Sequence, residues 1–553
     1  MKRNRISAFL LALCMLSPAM GSCSGQTAPE QTETDAPPAE SAPAPEGTSE
    51  ELPLSDETEP AAPAEEPQTE VPEEKPEPEP EPVPVPEDPA SVPEEPTAIS
   101  EEPEDALSRL SYADPERYSL YLEEAVEYAK TIHDLYWDGE NGISKLTPSG
   151  GTPHLWPFTE QAGMVNGILA AMDADHPDRA FFEEYLRELI EGLRHYRVKR
   201  VKLTGNETWN DPDNFIAPFG ENDGTPHSYA LYSSSRHDKK IDYLIVTPDA
   251  VYFDDNVWVA KEFYFAYVNT GDLTYLNEAV NIMNWILGEG YEDAGELAGI
   301  YWKWSAKFKF DSGDYSDSNH ASLNACSTAS SAMVLAKLCG VLSGTPLEGL
   351  RAGYLEKALA IYDFCGKVYV DPSTKCLYDK VFLKQNFASQ TVLKQQLQKT
   401  DTAQYAYNTG TYLTAGADLY ALLYGTDPAR AEEILKSALA SAKGADKKFA
   451  DRTAKKGEYS YPSHSWFTSF LVSGFADLAA FDESIAEYAD HMRSALDYAW
   501  TNNRAADGLV SPAWIKGWSH FSDNGANSEG NPRQILYQSA NAHCYAMMAE
   551  YYK

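Results

Sequence analysis

Two consecutive aspartates, Asp254 and Asp255, stand where an aromatic-rich loop gives way to a long amphipathic segment. Two carboxyl groups beside a glycosidic bond can split it, because one protonates the leaving oxygen and the other attacks the anomeric carbon or activates water. A separation of roughly 5 Å implies retention and a wider one inversion. Adjacent helical residues point about 100° apart, so we expect Asp254 to take a non-helical cap conformation. The alternative is a purely structural role. In that case Asp254 is a favoured N-cap residue, and the Asp255 carboxylate in the first turn interacts favourably with the helix dipole.

Aromatic residues gather around this pair and before other predicted helices. Aromatic faces stack on sugar rings, so the cluster predicts a carbohydrate groove. Trp285 and Trp500 are assigned to packing, and Trp258 is left open between the two roles. The predicted groove set is Trp156, Tyr252, Phe253, Trp258, Tyr301, Trp302, Trp304, Tyr405, Tyr407, Trp466, Trp514 and Trp518.

Other chemistries are not indicated. The acidic run from Asp311 to Asp317 lacks the ligand spacing of an EF-hand loop, and the histidines lack zinc-site spacing. No nucleophile elbow, phosphate loop or dinucleotide fingerprint occurs. The five cysteines after Cys23 are predicted to be buried apolar residues without disulfides. We therefore expect no metal and no cofactor.

Hydrophobic periodicity predicts about twelve helices and few strands outside an insertion at 195–250. They alternate between small-residue segments, which suit a crowded centre, and amphipathic segments, which suit an outer ring. This pattern predicts an all-α fold, an (α/α)6 toroid or six-hairpin barrel. An α-solenoid is the alternative, although the inner spacing is irregular. The inner segments are Glu160–Met172, Asp255–Thr270, Ala321–Leu338, Tyr407–Leu423, Ser465–Ala480 and Ser539–Tyr552. The outer segments are Arg117–Tyr136, which would close the ring, Ala180–Tyr196, Tyr275–Leu287, Tyr354–Val368, Ala431–Ala442 and Ile485–Trp500.

The N-terminal quarter indicates export. Residues 1–22 combine a basic start with an apolar run too short to span a bilayer, and Cys23 stands where a bacterial lipoprotein would be lipidated. Ordinary secretion with an incidental cysteine is the alternative. We expect a lipid-anchored protein on the extracellular face of the cell membrane.

Residues 23–106 have the composition of a disordered, acidic, Pro/Glu-rich stalk. About 20 of the 36 prolines and about 25 of the 41 net negative charges fall there, and such a segment buries too little apolar surface to fold. The stalk would hold the domain at 107–553 clear of the membrane. No basic patch suggests nucleic acid, and we expect a monomer.

The residues around the aspartates resemble glycoside hydrolase family 76, the endo-α-1,6-mannanases. The resemblance rests on Tyr252-Phe-Asp-Asp-Asn-Val-Trp258 and Thr270-Gly-Asp-Leu-Thr-Tyr-Leu276, and it continues through Ala298–Trp302, Asn324-Ala325 and Tyr407–Gly410. It covers most of residues 113–553. The chain departs from the family pattern at Thr409, at Asn319-His320, and at Ala298 and Tyr301, which puts substrate specificity in question more than mechanism.

The resemblance implies retaining cleavage of α-1,6-mannosidic bonds in mannan, with Asp254 as nucleophile and Asp255 as general acid/base. The alternatives are an exo-mannosidase or uronyl hydrolase on the same toroid, and a glycan-capturing lipoprotein without catalysis. The long insertion before the pair is interpreted as either structural or shaping one end of the groove. The predicted substrate-binding residues are Trp156, Tyr252, Asn256, Tyr301, Trp302, Asn324, Tyr407, Asn408, Gly410 and Trp466.

Overall fold

A computed structural model describes residues 107–553. Within that range it leaves out 140–141, 204–208, 210–214, 238–240, 243, 294–295, 306, 308–321, 384–396, 452–460, 462–463 and 521–530. The predicted signal peptide, Cys23 and stalk lie outside the described residues, as do the acidic run at 311–317 and Asn319-His320.

The described chain contains twelve α-helices that alternate between an inner and an outer ring, as predicted. Each inner helix contacts the next, and the last contacts both the first inner helix and α1, so the ring closes. The closed ring is an (α/α)6 toroid and excludes an open solenoid. The outer helices are α1 Pro115–Tyr136, α3 Arg179–Leu193, α5 Leu273–Trp285, α7 Arg351–Phe364, α9 Pro428–Phe449 and α11 Ala486–Asn502. The inner helices are α2 Leu155–Ala171, α4 Phe253–Thr270, α6 Ala325–Val341, α8 Ala406–Leu423, α10 Ser465–Ala479 and α12 Ile535–Tyr552.

Helix ends differ from the prediction where local chemistry extends a helix. Helix α9 begins earlier because the Asp427 side chain caps it by accepting from the Arg430 N–H at 3.1 Å. It also runs past Gly444, where a Cβ would lie 2.1 Å from the Thr374 carbonyl oxygen. That close contact packs the end of α9 against a neighbouring loop. Helices α2 and α12 begin four or more residues before the predicted starts, in turns that lie at the toroid mouth.

One sheet was not predicted. Strands β9 Ser322–Asn324, β10 Tyr378–Leu383 and β11 Leu397–Gln404 form an antiparallel sheet in the order β11-β10-β9. Side chains of β10 alternate between buried and half-buried, the period-2 pattern of a strand. The expectation of few strands outside 195–250 was therefore wrong for this hairpin, which leads into α6 and α8.

The other strands form two-stranded pairs. Strands β1 Trp137–Asp138 and β2 Ile143–Ser144 precede α2, and β7 Tyr291–Glu292 pairs with β8 Gly299–Ile300. The insertion holds β3 Val198–Val201 paired with β6 Leu244–Val246, and β4 Phe215–Ile216 paired with β5 Ser228–Tyr229.

The described part of the insertion packs on outer helix α5. Arg197 forms a buried ion pair with Glu278 at 2.6 Å, and the Asn281 and Asn284 amides donate to backbone carbonyls of the insertion. These contacts satisfy polar groups on the buried face of α5. The insertion is thus anchored outside the inner ring.

The centre of the toroid carries a buried set of ionisable side chains that we call the ionic layer. Each inner helix contributes at least one member. Lys337 contacts Asp418 at 3.0 Å, and the His543 Nδ1 lies 3.2 Å from Glu160. The layer comprises Glu160, Lys261, Glu262, Lys337, Asp418, Asp477 and His543.

The five cysteines after Cys23 are buried and none is in a disulfide, as predicted. Within the described ranges, none of the helices combines the length and apolarity that crossing a membrane would require.

Candidate active site

The aspartate pair lies in the first turn of α4, at the end of the toroid where inner helices begin. Tyr252 is the N-cap residue, with extended backbone, and Asp254 and Asp255 are already helical. The expectation that Asp254 takes a cap conformation was therefore wrong. The helix starts two residues earlier than predicted, because the Phe253 N–H donates to the Trp302 carbonyl at 3.0 Å and the Phe253 ring stacks on Trp285.

Asp254 is fully buried and its carboxylate accepts three hydrogen bonds. Oδ1 accepts from the Asp255 backbone N–H at 2.9 Å. Oδ2 accepts from Trp302 Nε1 at 3.2 Å and from the Cys326 thiol at 3.4 Å. Burial raises the pKa of Asp254 to about 7, and the three donors oppose that rise.

Asp255 has a different environment although it is the next residue. It is 3% exposed, and its Oδ1 has no hydrogen-bond partner in the described structure. Burial and the neighbouring Asp254 charge raise the pKa of Asp255 well above its usual range. Asp255 therefore holds its proton more tightly, and Asp254 is the member of the pair that ionises first. This is the division that a nucleophile and a general acid require.

Asn256 holds the start of α4 to the insertion. Its Oδ1 accepts from the Tyr232 N–H at 2.7 Å, and its Nδ2 donates to the carbonyls of Tyr232 and Tyr252 at 2.9 and 2.7 Å. These bonds occupy the amide with backbone partners. The structure thus places Asn256 as a support of the pair and corrects the prediction that it binds substrate directly.

The loop at 299–304 lies beside the pair. Trp302 is partly exposed, packs against Tyr252 with ring centroids 5.1 Å apart, and reaches Asp254 through its indole N–H. Tyr301 is buried, and its hydroxyl donates to Glu292 at 2.9 Å. Trp302 and Tyr252 thus present aromatic surface next to the carboxylates, whereas Tyr301 fixes the loop.

Two buried asparagines lie at the starts of the next inner helices. The Asn324 side chain accepts from the Ser322 hydroxyl at 2.7 Å, and its Nδ2 has no partner among the described residues. Asn408 donates to Asp379 at 3.5 Å, and its Oδ1 has no described partner. Asp379, on β10, was not predicted from the sequence because the strand that carries it was not recognised.

A second group of rings at the mouth is an aromatic wall formed by the starts of α8, α10 and α2. Trp156 packs on Trp466 with centroids 5.1 Å apart, and Tyr407 stacks on Phe467 at 4.8 Å. His464 caps α10 and lies 4.1 Å from the Phe467 ring. Trp156, Phe467 and His464 are partly exposed, whereas Tyr407 and Trp466 are buried. Phe467 was missed by sequence reasoning because it follows Trp466 without a distinguishing pattern.

Several predicted groove residues pack the core instead. A Cβ on Gly410 would lie 2.4 Å from the Phe470 Cβ and 2.5 Å from the Phe470 carbonyl, so Gly410 faces α10 and allows the two helices to approach closely. Trp258 is buried against Phe470, and Trp304 is buried against Trp285. Trp285 and Trp500 are packing residues, as predicted.

Each inner helix places at least one buried polar atom without a described partner in its cap or first two turns. Buried polar groups in proteins almost always have partners, so a concentration of such atoms at one end requires an explanation. A polyhydroxylated ligand at this end would supply hydrogen bonds to those that face the mouth. The atoms are Trp156 Nε1, Glu160 Oε2, Asp255 Oδ1, Trp258 Nε1, Asn324 Nδ2, Asn408 Oδ1, His464 Nδ1, Trp466 Nε1 and Ser539 Oγ.

Among the described residues, no group of three or more His, Cys, Asp and Glu side chains is arranged to hold a metal ion. A cleft of about 620 Å³ lies beside the β1–β2 loop and includes Lys145, Thr152 and Arg236. Neither aspartate lines it. The candidate site is therefore defined by the aspartate pair and not by this cleft.

A helical toroid that carries paired carboxyl groups, aromatic rings and unsatisfied polar atoms at one mouth defines a glycoside hydrolase. Residues 230–534 match the family model of glycosyl hydrolase family 76, which is more than half of the chain, and the chain belongs to that family. No match is found among curated proteins.

Solved structures with this fold include a family 76 mannosidase from Bacteroides thetaiotaomicron VPI-5482, 18% identical with a TM-score of 0.57, covering 78% of this chain and 98% of that one. A family 76 glycoside hydrolase from a bovine Bacteroides thetaiotaomicron strain is 19% identical, with a TM-score of 0.57. The match covers 78% of this chain and 77% of that one. An inactive variant of the α-1,6-mannanase GH76A of Salegentibacter sp. HEL1_6, with two consecutive aspartates changed to asparagine, was solved with α-1,6-mannotriose. It is 16% identical, with a TM-score of 0.53, and the match covers 78% of this chain and 99% of that one.

Proposed function

We propose that this protein hydrolyses α-1,6-mannosidic linkages in mannan with retention of anomeric configuration, without a cofactor. The observation that carries the proposal is the asymmetric pair in the first turn of α4, where Asp254 accepts three hydrogen bonds and Asp255 has an unpaired oxygen. Asp254-Asp255 is also the only pair of consecutive aspartates in the chain.

In the first step, the Asp254 carboxylate attacks the anomeric carbon while protonated Asp255 gives its proton to the departing glycosidic oxygen. The products of this step are a glycosyl ester on Asp254 and an ionised Asp255. In the second step, Asp255 removes a proton from water, the water attacks the anomeric carbon, and the ester bond to Asp254 breaks. Two inversions give retention, and the enzyme returns to its starting protonation state.

The mouth supports a sugar polymer as substrate. Partly exposed rings lie at the mouth, with Trp302 and Tyr252 beside the pair and Trp156 and Phe467 in the aromatic wall. The polar atoms without described partners at the starts of the inner helices match the hydroxyl-rich chemistry of mannose units. Family membership and the mannotriose complex of the Salegentibacter enzyme favour the α-1,6-mannan assignment over other glycans.

The cellular setting of the proposal rests on sequence. Cys23 after the apolar leader favours a lipid anchor, and the Pro/Glu-rich stalk would separate the catalytic domain from the membrane. We infer a monomer that acts on mannan at the outer face of the cell.

The test is incubation of the full chain with linear α-1,6-mannan, with measurement of reducing ends and product sizes and NMR detection of the first anomer formed. The matched variants are Asp254→Asn and Asp255→Asn. Short oligosaccharides with the α anomer formed first, absent from both variants, would support the proposal.

Other outcomes would replace it. Release of single mannose units alone would indicate an exo-mannosidase. Activity confined to unsaturated uronides would indicate a uronyl hydrolase. Binding of mannan without cleavage would indicate a glycan-capturing lipoprotein. The β anomer formed first would exclude the retaining mechanism.

A further inference from the structure

The Cys326 thiol has a position that its sequence neighbours do not predict. It is the second residue of α6, is fully buried, and donates to Asp254 Oδ2 at 3.4 Å. The other four cysteines of the domain, Cys339, Cys365, Cys376 and Cys544, have no recorded contact with either aspartate. Cys326 is thus the thiol of the domain that meets the proposed nucleophile.

Main-chain contacts on both sides fix this thiol. Asn324 ends β9, which pairs with Lys380 of β10, and Asn324 is also the N-cap of α6. One turn into the helix, the Ser330 hydroxyl donates to the Cys326 carbonyl. The sheet and the helix therefore set the position of the sulfur relative to α4.

The thiol and the indole share one carboxylate oxygen. Trp302 Nε1 and Cys326 Sγ both reach Oδ2, while Oδ1 is bound by the Asp255 backbone N–H. Donors at both oxygens set the plane of the carboxylate. The titratable groups in contact with Asp254 are Asp255, on its own helix, and Cys326, from α6.

A thiol suits this position because it is a weak donor. Strong donors stabilise a carboxylate anion but also reduce its tendency to attack carbon, whereas a weak donor orients the group at a smaller cost to its reactivity. We propose that Cys326 is a positioning residue for Asp254, orienting its carboxylate as the nucleophile while Asp255, which receives no such donor, remains the acid. The inference rests on the proposed retaining mechanism and adds a residue to it.

The first experiment compares the pH dependence of kcat/KM in wild type, Cys326→Ala and Cys326→Ser, using an aryl α-mannoside and α-1,6-mannan. Because the thiol stabilises the Asp254 anion, its removal should move the acidic limb upward by about 0.5 to 1 pH unit. At neutral pH, kcat should fall about 3- to 10-fold with KM little changed. Cys326→Ser keeps a hydrogen-bond donor at this position, so the acidic limb of its kcat/KM profile should lie closer to that of wild type.

Cys339→Ala is the matched control, because Cys339 is buried on the same helix but its thiol points to the Arg351 carbonyl at 3.5 Å. It should leave the pH profile unchanged. An unmoved acidic limb in Cys326→Ala, or the same shift in Cys339→Ala, would show that the thiol only fills space and would overturn the proposal.

A second experiment does not depend on activity. The infrared S–H stretch of Cys326, isolated by subtracting the spectrum of Cys326→Ala, should change as Asp254 titrates and should change in Asp254→Asn. A band that is insensitive to both would overturn the proposed contact. If the band responds but wild type cleaves no α-1,6-mannoside, the proposed function fails while the contact stands.

Discussion

Asp254 and Asp255 are neighbours in sequence, yet their side chains have different surroundings. Three donors surround the first and no described donor reaches Oδ1 of the second. In a dry site, an added hydrogen bond favours the charged form, and its absence favours the neutral form. The difference between the two carboxyl groups is thus set by neighbours from other elements, Trp302 from the loop before α6 and Cys326 from α6 itself.

The assigned roles predict a dependence on the leaving group. We expect Asp255→Ala to lose about 10²- to 10⁴-fold in kcat on mannan, because protonation of the leaving oxygen is lost. With an aryl mannoside whose phenol leaves without protonation, Asp255→Ala should recover most of the wild-type rate of the first step. Azide should then accelerate turnover of this variant, because azide attacks the glycosyl ester without needing a general base.

The matched variant is Asp254→Ala, which should remain inactive toward both substrates because no nucleophile is left. Rates measured on the two leaving groups decide the question. Recovery in Asp254→Ala instead of Asp255→Ala would exchange the two roles.

At the scale of elements, glycines decide how closely the inner helices pack. Gly410 on α8 faces the backbone of Phe470 on α10 with no room for a side chain. A larger residue there would separate two helices that both carry residues of the aromatic wall. Element packing and site geometry are therefore coupled at α8 and α10.

We expect Gly410→Ala to destabilise the protein by about 1 to 3 kcal/mol through overpacking. Thermal unfolding measures this. Gly353→Ala in outer helix α7 is the control, because a Cβ there meets nothing within 4 Å. Alanine in that helix should instead stabilise by about 0.5 to 1 kcal/mol. Equal effects of the two substitutions would contradict the packing argument.

At the scale of the whole molecule, the ionic layer links the stability of the toroid to pH. Burial raises the pKa of Glu160 to about 8 and the pKa of Asp477 to about 7. It also raises the pKa of Glu262 and of Asp418. The folded state therefore binds more protons than the unfolded state between about pH 4 and 8, so its stability falls as pH rises through that window.

Other groups act in the opposite direction. Burial lowers the pKa of His464 and of His543 to about 3, so these histidines remove stability as pH falls below their ordinary value of about 6.5. The layer also contains Lys261, whose pKa is lowered by burial. We expect the greatest stability near about pH 6, between the two effects.

The melting temperature should therefore fall by several degrees between pH 6 and 8. Asp477→Asn, which keeps the size of the side chain beside Thr414 and Ser473, should weaken that fall because one buried ionisation is removed. A melting temperature that rises with pH over this range in wild type would refute the linkage.

The proposed anchor makes a prediction for the complete chain. In the native host, Cys23→Ser should move the protein from the membrane fraction to the soluble fraction, because a lipid chain cannot be attached. Activity on soluble mannan should stay within about twofold of wild type, since the substitution lies far from the toroid in sequence. Fractionation followed by activity assay checks both, and membrane retention of the variant would contradict lipid anchoring.

The sequence by itself determined the toroid. Inner helices must be rich in small side chains and outer helices must be amphipathic, and both patterns can be read locally because they are periodic. It also determined the aspartate pair as the candidate site, since two adjacent carboxyl groups before an amphipathic segment form a local signal. The hairpin β10–β11 was not predicted, because its alternation is short and its partner β9 is distant in sequence.

Only the tertiary structure decided which residues of the mouth contact the aspartate pair. Asn256, Gly410 and Trp304 look like groove residues in sequence, but long-range packing turns them inward. Cys326 looks like a core thiol, yet the closure of α6 against α4 brings it to Asp254. Periodicity specifies which face of a helix is buried, whereas hydrogen bonds between helices depend on distances that exist only once the ring has closed.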